Sequence, residues 1–272
     1  MKTQHVFLMC PPEYFDVSYI INPWMQGNVR KIDNALAKQQ WRALYDIVAD
    51  FATVRLMHPQ PGSPDMVFTA NAGLVKGRRF LVSRFRYPER QYEEPYFADW
   101  FLDRGYDVSL MPRHVPFEGA GDALSDRGAK RLWLAYGHRS VLAAKDVIAE
   151  RFGGEIVPLK LVDQRFYHLD TCFCPLDGGH LLYYPAAFDA AAQAAIERLV
   201  PGARRFAVSE EDALAFACNA VAIGNRIVVN RATTAFVDAL GRRGFEVVQS
   251  PLSEFMKAGG SAKCLTLRLD EA

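Results

Sequence analysis

Cys264 stands in Lys257-Ala-Gly-Gly-Ser-Ala-Lys-Cys264-Leu-Thr-Leu, where a glycine-rich stretch runs into an apolar one. Glycines there let a ligand approach the backbone closely. Lys263, its neighbour, favours the thiolate, the form of cysteine that attacks electrophilic carbon. The same pattern also describes a buried cysteine that opens a strand. Far upstream lie His168 and Asp170, in Tyr167-His168-Leu169-Asp170-Thr171. Read as a strand, positions i and i+2 share a face. A carboxylate beside an imidazole raises its basicity and fixes its tautomer. A thiol and a sequence-distant histidine are the pair expected of a nucleophile and its acid/base partner; a histidine on a half-buried strand also needs no such role. Two further acids stand at the mouths of apolar runs: Asp65 in Pro64-Asp65-Met66-Val67-Phe68, and Glu118 in Pro116-Phe117-Glu118-Gly119. Acids in such places cap turns. As a pair of planar carboxylates they also suit one planar cation.

His168, Asp170, Cys172 and Cys174 alternate and so share one strand face. A straight strand spreads four such side chains over roughly 20 Å, too far to converge on one tetrahedral ion. No metal is expected, nothing calls for an organic cofactor, and Cys172 and Cys174 read as packing residues. The Phe117-to-Asp122 run is no phosphate loop, because no Gly-Lys-Ser/Thr follows it.

The elements that position these residues form a weak repeat. Four times, two β-rich runs flank a glycine turn. The runs are Met66–Val75 and Phe80–Phe85, Asp122–Leu124 and Arg131–Tyr136, Tyr167–Pro175 and His180–Tyr184, and Asn219–Ile223 and Arg226–Asn230. Such pairs read as hairpins. The turn glycines Gly77, Gly128, Gly178 and Gly224 are 51, 50 and 46 residues apart. Each hairpin leads to a helical pattern and one more apolar run. The helices are expected at Tyr92–Asp103, Ser140–Phe152, Ala186–Leu199 and Thr233–Arg242. The runs that follow are Val108–Met111, Ile156–Leu161, Arg205–Val208 and Phe245–Val248. At this period 272 residues hold about five units. The fifth is split between Cys264–Leu269 at one end and Val6–Cys10 with a helix over Asn28–Phe51 at the other. Pairing the two ends closes a ring and removes open sheet edges. The sequence thus predicts an α/β fold of five ββαβ blades with pseudo-fivefold symmetry.

Bulk properties exclude several classes. The 32 basic and 31 acidic residues nearly cancel, which argues against nucleic acid or a membrane surface as partner. No apolar run is long enough to span a bilayer, and the run Val6–Cys10 is too short for a signal core. Five sparse cysteines are no disulfide framework, so a cytoplasmic location is expected. A small molecule is the expected partner. The assembly state, a homo-oligomer included, is open.

Together the motifs and the repeat resemble the guanidine-modifying superfamily of five-bladed ββαβ propellers, the penteins. Its members include arginine deiminases, dimethylarginine dimethylaminohydrolases and amidinotransferases. Asp65, Glu118, His168 with Asp170, and Cys264 occur in the family's order. The resemblance covers essentially all of residues 1–272 and implies one catalytic domain. Asn22 in Ile-Asn-Pro-Trp-Met and Asn71 in Phe-Thr-Ala-Asn-Ala-Gly resemble the arginine dihydrolase group, which takes arginine to ornithine, ammonia and carbon dioxide. Typical deiminases carry an acid at the position of Asn71 and stop at citrulline. Two family arginines hold the substrate α-carboxylate, and Arg90 and Arg139 match them. Some dihydrolases carry a second, C-terminal domain; with eight residues after Cys264, its activity is expected to be absent here.

The resemblance implies a hydrolase of C–N bonds in linear amidines. Cys264 is the nucleophile, forming an S-amidino intermediate. His168 is the acid and base. Asp65 and Glu118 clamp the guanidinium, and Asp170 assists. Asn22 and Asn71 complete the substrate contacts, and Pro12–Gln26 is the candidate lid. The nearest alternatives are a dimethylaminohydrolase, a deiminase or an amidinotransferase. A non-catalytic propeller has no need of these residues together, and a thiol peptidase has no use for the acids and arginines.

Overall fold

The computed structural model describes residues 5–271. Each glycine turn of the repeat folds back a two-stranded antiparallel hairpin, and a third strand joins in parallel after a helical crossover. The first blade is β3 (Gly73–Lys76), β4 (Arg79–Val82) and β5 (Asp107–Leu110). The second is β6 (Ala123–Ser125), β7 (Arg131–Tyr136) and β8 (Glu155–Lys160). The third is β9 (Phe173–Leu176), β10 (His180–Tyr183) and β11 (Arg205–Ala207). The fourth is β12 (Val221–Ile223), β13 (Arg226–Val229) and β14 (Glu246–Gln249). In the fifth, β15 (Leu267–Arg268) pairs antiparallel with β1 (Val6–Met9), which pairs in parallel with β2 (Thr53–Leu56). The two ends of the chain therefore share one sheet, as the split fifth unit predicts, and the five three-stranded sheets make the expected α/β ring. The turns at Gly77 and Gly224 have φ of +60° and +61°, a region glycine enters without a Cβ penalty.

The crossover helices are Asn34–Ala49, Glu94–Leu102, Ala144–Phe152, Ala190–Leu199 and Thr234–Gly241. The first begins later than the expected Asn28, because the Asp33 carboxylate caps it by accepting from Leu36 N–H at 3.0 Å. Apolar faces of these helices seal the blades. Phe101 stacks on Phe80 of β4 with ring centroids 3.6 Å apart. Burying a side chain of that size contributes roughly 1.5–3 kcal/mol. Among the described residues no helix is long and apolar enough to cross a membrane.

The first strands are shorter than expected. Met66–Val75 is not one strand: Pro64–Val67 and Thr69–Ala72 are tight 3-10 turns ahead of β3. Leu169–Thr171 likewise coils ahead of β9, so Tyr167–Pro175 is not one strand. His168 and Asp170 therefore do not share a strand face. Cys264 sits on a turn held by Leu265 N–H to the Ser261 carbonyl and Thr266 N–H to the Lys263 carbonyl, three residues before β15. Apart from half-buried Lys263 these segments are buried, so they lack the in–out alternation that separates strand from coil.

Candidate active site

The turn ahead of each first strand delivers buried polar groups to the middle of the ring. These are Asn71 before β3, Glu118 before β6, His168 and Asp170 before β9, Asn219 before β12, and Cys264 before β15. Hydrogen bonds link each turn to the next. Asn71 Nδ2 donates to the Glu118 carbonyl and Leu169 N–H to Asp122 Oδ1. Asn219 Nδ2 donates to the Asp170 carbonyl, Lys263 N–H to the Asn219 carbonyl, and Ala70 N–H to the Cys264 carbonyl. The circuit closes on itself, which fixes the relative positions of the side chains it carries. Seven expected residues line one pocket: Asn22, Asp65, Asn71, Arg90, Arg139, His168 and Cys264. Glu118 and Asp170 stand behind it.

Cys264 is 3% exposed. Its thiol donates toward both oxygens of Asp170, each 3.6 Å from Sγ. Burial first, and the Asp170 charge second, push the thiol well above its ordinary range, although a Ser261 backbone hydrogen bond, Lys263 and Asn219 pull it down. The expected gain from Lys263 is thus outweighed by desolvation, and the resting sulfur is a neutral thiol. Burial also pushes the Asp170 carboxyl up to about 7, against the pull of Lys263.

Glu118 is fully buried. Its Oε2 is 2.9 Å from Arg139 Nη1 and 2.7 Å from His168 Nε2, and its Oε1 accepts from Arg86 N–H at 3.1 Å. Burial alone would raise its pKa. Arg139 and the hydrogen bond to His168 instead hold the carboxylate well below the usual range. An ionised Glu118 only accepts, so His168 Nε2 carries the proton between them. The carboxylate that fixes the His168 tautomer is therefore Glu118 rather than Asp170. Glu118 is engaged by protein groups and does not present a free carboxylate as a clamp.

Asp65 is the acid left open. Tyr19 donates to its Oδ2 at 3.0 Å, and its buried Oδ1 has no partner. Burial raises the Asp65 pKa, with Arg90 opposing. A buried acceptor without a donor is costly until a cation or donor arrives.

Arg90 departs from expectation. Its guanidinium grips Glu93 through Nε at 2.8 Å and Nη2 at 2.7 Å, and donates to Asn71 Oδ1 at 2.9 Å and to the Asp65 carbonyl at 3.1 Å. These bonds occupy most of its donors, so it positions Asn71 and Asp65 rather than standing free for a carboxylate. Because Arg90 can only donate, the atom of Asn71 facing it is the oxygen. The amide nitrogen therefore faces the Glu118 carbonyl, to which it donates, and Gly121, beside which there is no room for a Cβ. Glu93 was not expected at the site; an acid three residues after Arg90 on a short helical turn was its only signal.

Arg139 lies between the Tyr87 and Tyr167 rings, 4.8 and 4.5 Å from their centroids, and donates to the Ile21 carbonyl at 2.9 Å. It lines both the inner pocket and an outer vestibule of about 500 Å³. Asn22 spends its oxygen on Trp24 and Met25 N–H and its nitrogen on the Ala258 carbonyl. It therefore shapes the wall with a fixed turn. The surrounding Pro12–Gln26 segment lines the pocket through Ile21, Asn22 and Met25 and is anchored by Phe15, stacked on Phe255 at 4.7 Å. Among the described residues no cluster of His, Cys, Asp and Glu is arranged to hold a metal.

The family described as N,N dimethylarginine dimethylhydrolase, eukaryotic, matches residues 21–270. The bifunctional arginine dihydrolase/ornithine cyclodeaminase AgrE of Nostoc sp. is 52% identical over 271 residues. That match covers 100% of this chain but 38% of AgrE, so the chain spans well under half of that relative. The N(G),N(G)-dimethylarginine dimethylaminohydrolase of Mycobacterium tuberculosis is 41% identical, covering 97% of this chain and 85% of that protein. Among solved structures, the N-terminal domain of ArgZ, an arginine dihydrolase from cyanobacteria, superposes with a TM-score of 0.98 at 51% identity, covering 98% of this chain and 99% of that one. It was solved as a C264S mutant bound to substrate, and also as ArgZ(N71S) covalently bound to a reaction intermediate. With its five-bladed ring and these matches, the chain belongs to the dimethylarginine dimethylaminohydrolase family of the guanidine-modifying pentein superfamily.

Proposed function

We propose that this chain is a cysteine-dependent hydrolase of the arginine guanidinium, carrying arginine to ornithine, two ammonia and carbon dioxide. One observation carries the reading. A single buried pocket brings together the Cys264 thiol, an Asp65 oxygen without a donor, and an Asn71 amide whose orientation Arg90 fixes. The likeness to the substrate-bound and intermediate-bound ArgZ structures supports it.

The guanidinium is planar and cationic, and Asp65 Oδ1 accepts from it by a charge-assisted bond. Its charge, placed against the sulfur, offsets the burial that keeps Cys264 neutral. The thiol proton has Asp170 as its acceptor. The thiolate attacks the guanidinium carbon; His168, entering the step doubly protonated with Nε2–H held by Glu118, gives its other ring proton to the departing ammonia and is left neutral, and an S-amidino enzyme results. Water, deprotonated by His168, then displaces the sulfur and citrulline forms. Arg139, at the junction of pocket and vestibule, suits the amino-acid end of the substrate. A second round attacks the ureido carbon of citrulline, releasing the second ammonia and a carbamate that breaks down to ornithine and carbon dioxide. The ureido oxygen is a pure acceptor. The Asn71 amide has one N–H on the Glu118 carbonyl and a second left to donate to the ureido oxygen, where a carboxylate would repel it.

Citrulline supplied alone tests the second round: ornithine is expected, and its absence removes the dihydrolase assignment. Asn71→Asp is expected to convert arginine and accumulate citrulline. The family match and the M. tuberculosis relative favour a second reading, release of dimethylamine from methylated arginine. Competition between arginine and dimethylarginine, with dimethylamine quantified, separates the two.

Each hydrophobic cluster draws on neighbouring blades, so we read residues 1–272 as one catalytic unit. Five free cysteines fit the reducing cytoplasm, where we place it.

A further inference from the structure

The fourth blade also reaches the reacting sulfur, through Asn219, which is fully buried. Its Oδ1 is 3.1 Å from Cys264 N. Its Nδ2 is 2.9 Å from the Asp170 carbonyl and 3.1 Å from Cys264 Sγ. A backbone N–H only donates and a carbonyl only accepts, so the amide has one possible orientation: oxygen to Cys264 N–H, nitrogen to sulfur. Both of its N–H groups are used, one anchoring the turn that carries Asp170 and one pointing at Sγ.

We propose that Asn219 is a catalytic residue that stabilises the Cys264 thiolate through its Nδ2–H to sulfur hydrogen bond while fixing the nucleophile's turn. The inference rests on Cys264 being the nucleophile. The charged and titratable groups facing the sulfur are Asp170, Lys263, Tyr167 and, across the pocket, His168. Asp170 repels a thiolate. Lys263 attracts one, but its ammonium is turned to the Ala120 carbonyl at 3.4 Å. Asn219 therefore gives the sulfur a side-chain donor in direct contact. A hydrogen bond gains strength when its acceptor becomes an anion, so this contact favours the reactive form over the resting thiol.

The probe is 2-chloroacetamidine, a planar cation that alkylates a thiolate. Its inactivation constants, kinact and KI, are measured from pH 6 to 10 on the purified chain, Asn219→Asp and Asn219→Ala, with melting curves to establish folding. Asn219→Asp keeps the acceptor for Cys264 N–H and replaces the donor to sulfur by an oxygen. The expected result is a fall in kinact of about ten- to a hundred-fold at neutral pH. The pH midpoint moves upward, and KI stays within about threefold. A purely structural role would move KI and leave the midpoint in place. Should Asn219→Asp not fold, the midpoint of Asn219→Ala carries the same reading. Alkylation of Cys264 with an unshifted midpoint in the folded variants overturns this inference alone. No alkylation of Cys264 in the unaltered chain overturns the nucleophile reading and this inference with it.

Discussion

Asp170 carries the sharpest conflict at the residue scale, a carboxyl buried against a thiol. Its pKa is raised from an ordinary value of 3.8 to about 7. Between those limits the folded chain holds a proton that the unfolded chain has lost. Its contribution to stability is thus complete below pH ~4 and lost as pH rises through ~7. Asp170→Asn should abolish turnover yet lower the unfolding free energy less than the parent does as pH rises from 4 to 8. The gap between the two should reach a few kcal/mol at most, on the order expected for a shift of this size. Thermal melts of both proteins at pH 5 and pH 8 measure it, and parallel pH dependences would contradict it. Several site residues were legible in the sequence: Cys264, His168 and the acids have side chains that announce chemistry. Asn219 was not, because an asparagine ahead of an apolar strand is also an ordinary turn residue. Nor was the pairing of His168 with Glu118, since those two meet only when separate blades close.

At the scale of elements, the short helix Pro88–Gln91 and the start of the next one hold Arg90 against Glu93, with side chains 4% and 1% exposed. Burial pushes Glu93 up to about 7 even with the guanidinium beside it. Removing one partner of a buried pair costs about 3–5 kcal/mol, because the other charge is stranded. Glu93→Ala should lose about that much stability in denaturant titrations. It should also slow citrulline conversion more than arginine deimination, because Arg90 then releases Asn71. Equal loss of both rounds would show that Asn71 is not held through this pair. The repeat and its crossover helices were readable from glycine spacing and apolar periodicity. The 3-10 turns before β3 and β9 were not: beside their local bonds they are tied to turns of other blades, as Ala70 N–H is to the Cys264 carbonyl and Leu169 N–H to Asp122 Oδ1. Local propensity does not record such partners.

Over the whole molecule, closure is the decisive feature. β15 and β1 tie the two ends into one sheet, with Leu267 opposite Leu8, at 1% and 0% exposure. The split fifth unit made this closure visible in the sequence, since only pairing of the ends completes the fifth blade. The same closure places Cys264 opposite residues contributed by the other blades. Leu267→Ala opens a cavity in that blade and should cost about 2–5 kcal/mol. The melt should stay a single transition at lower temperature; a separate early transition would mean that the fifth blade is not integral to the ring. The central claim is that one buried thiol carries arginine through two hydrolyses. Its most direct measurement is arginine turnover by the purified chain, with ammonia, citrulline and ornithine quantified beside a Cys264→Ala control. The prediction is ammonia and ornithine near two to one, little residual citrulline, and no turnover in the control. Citrulline as the sole amino-acid product, or full turnover without the thiol, would contradict it.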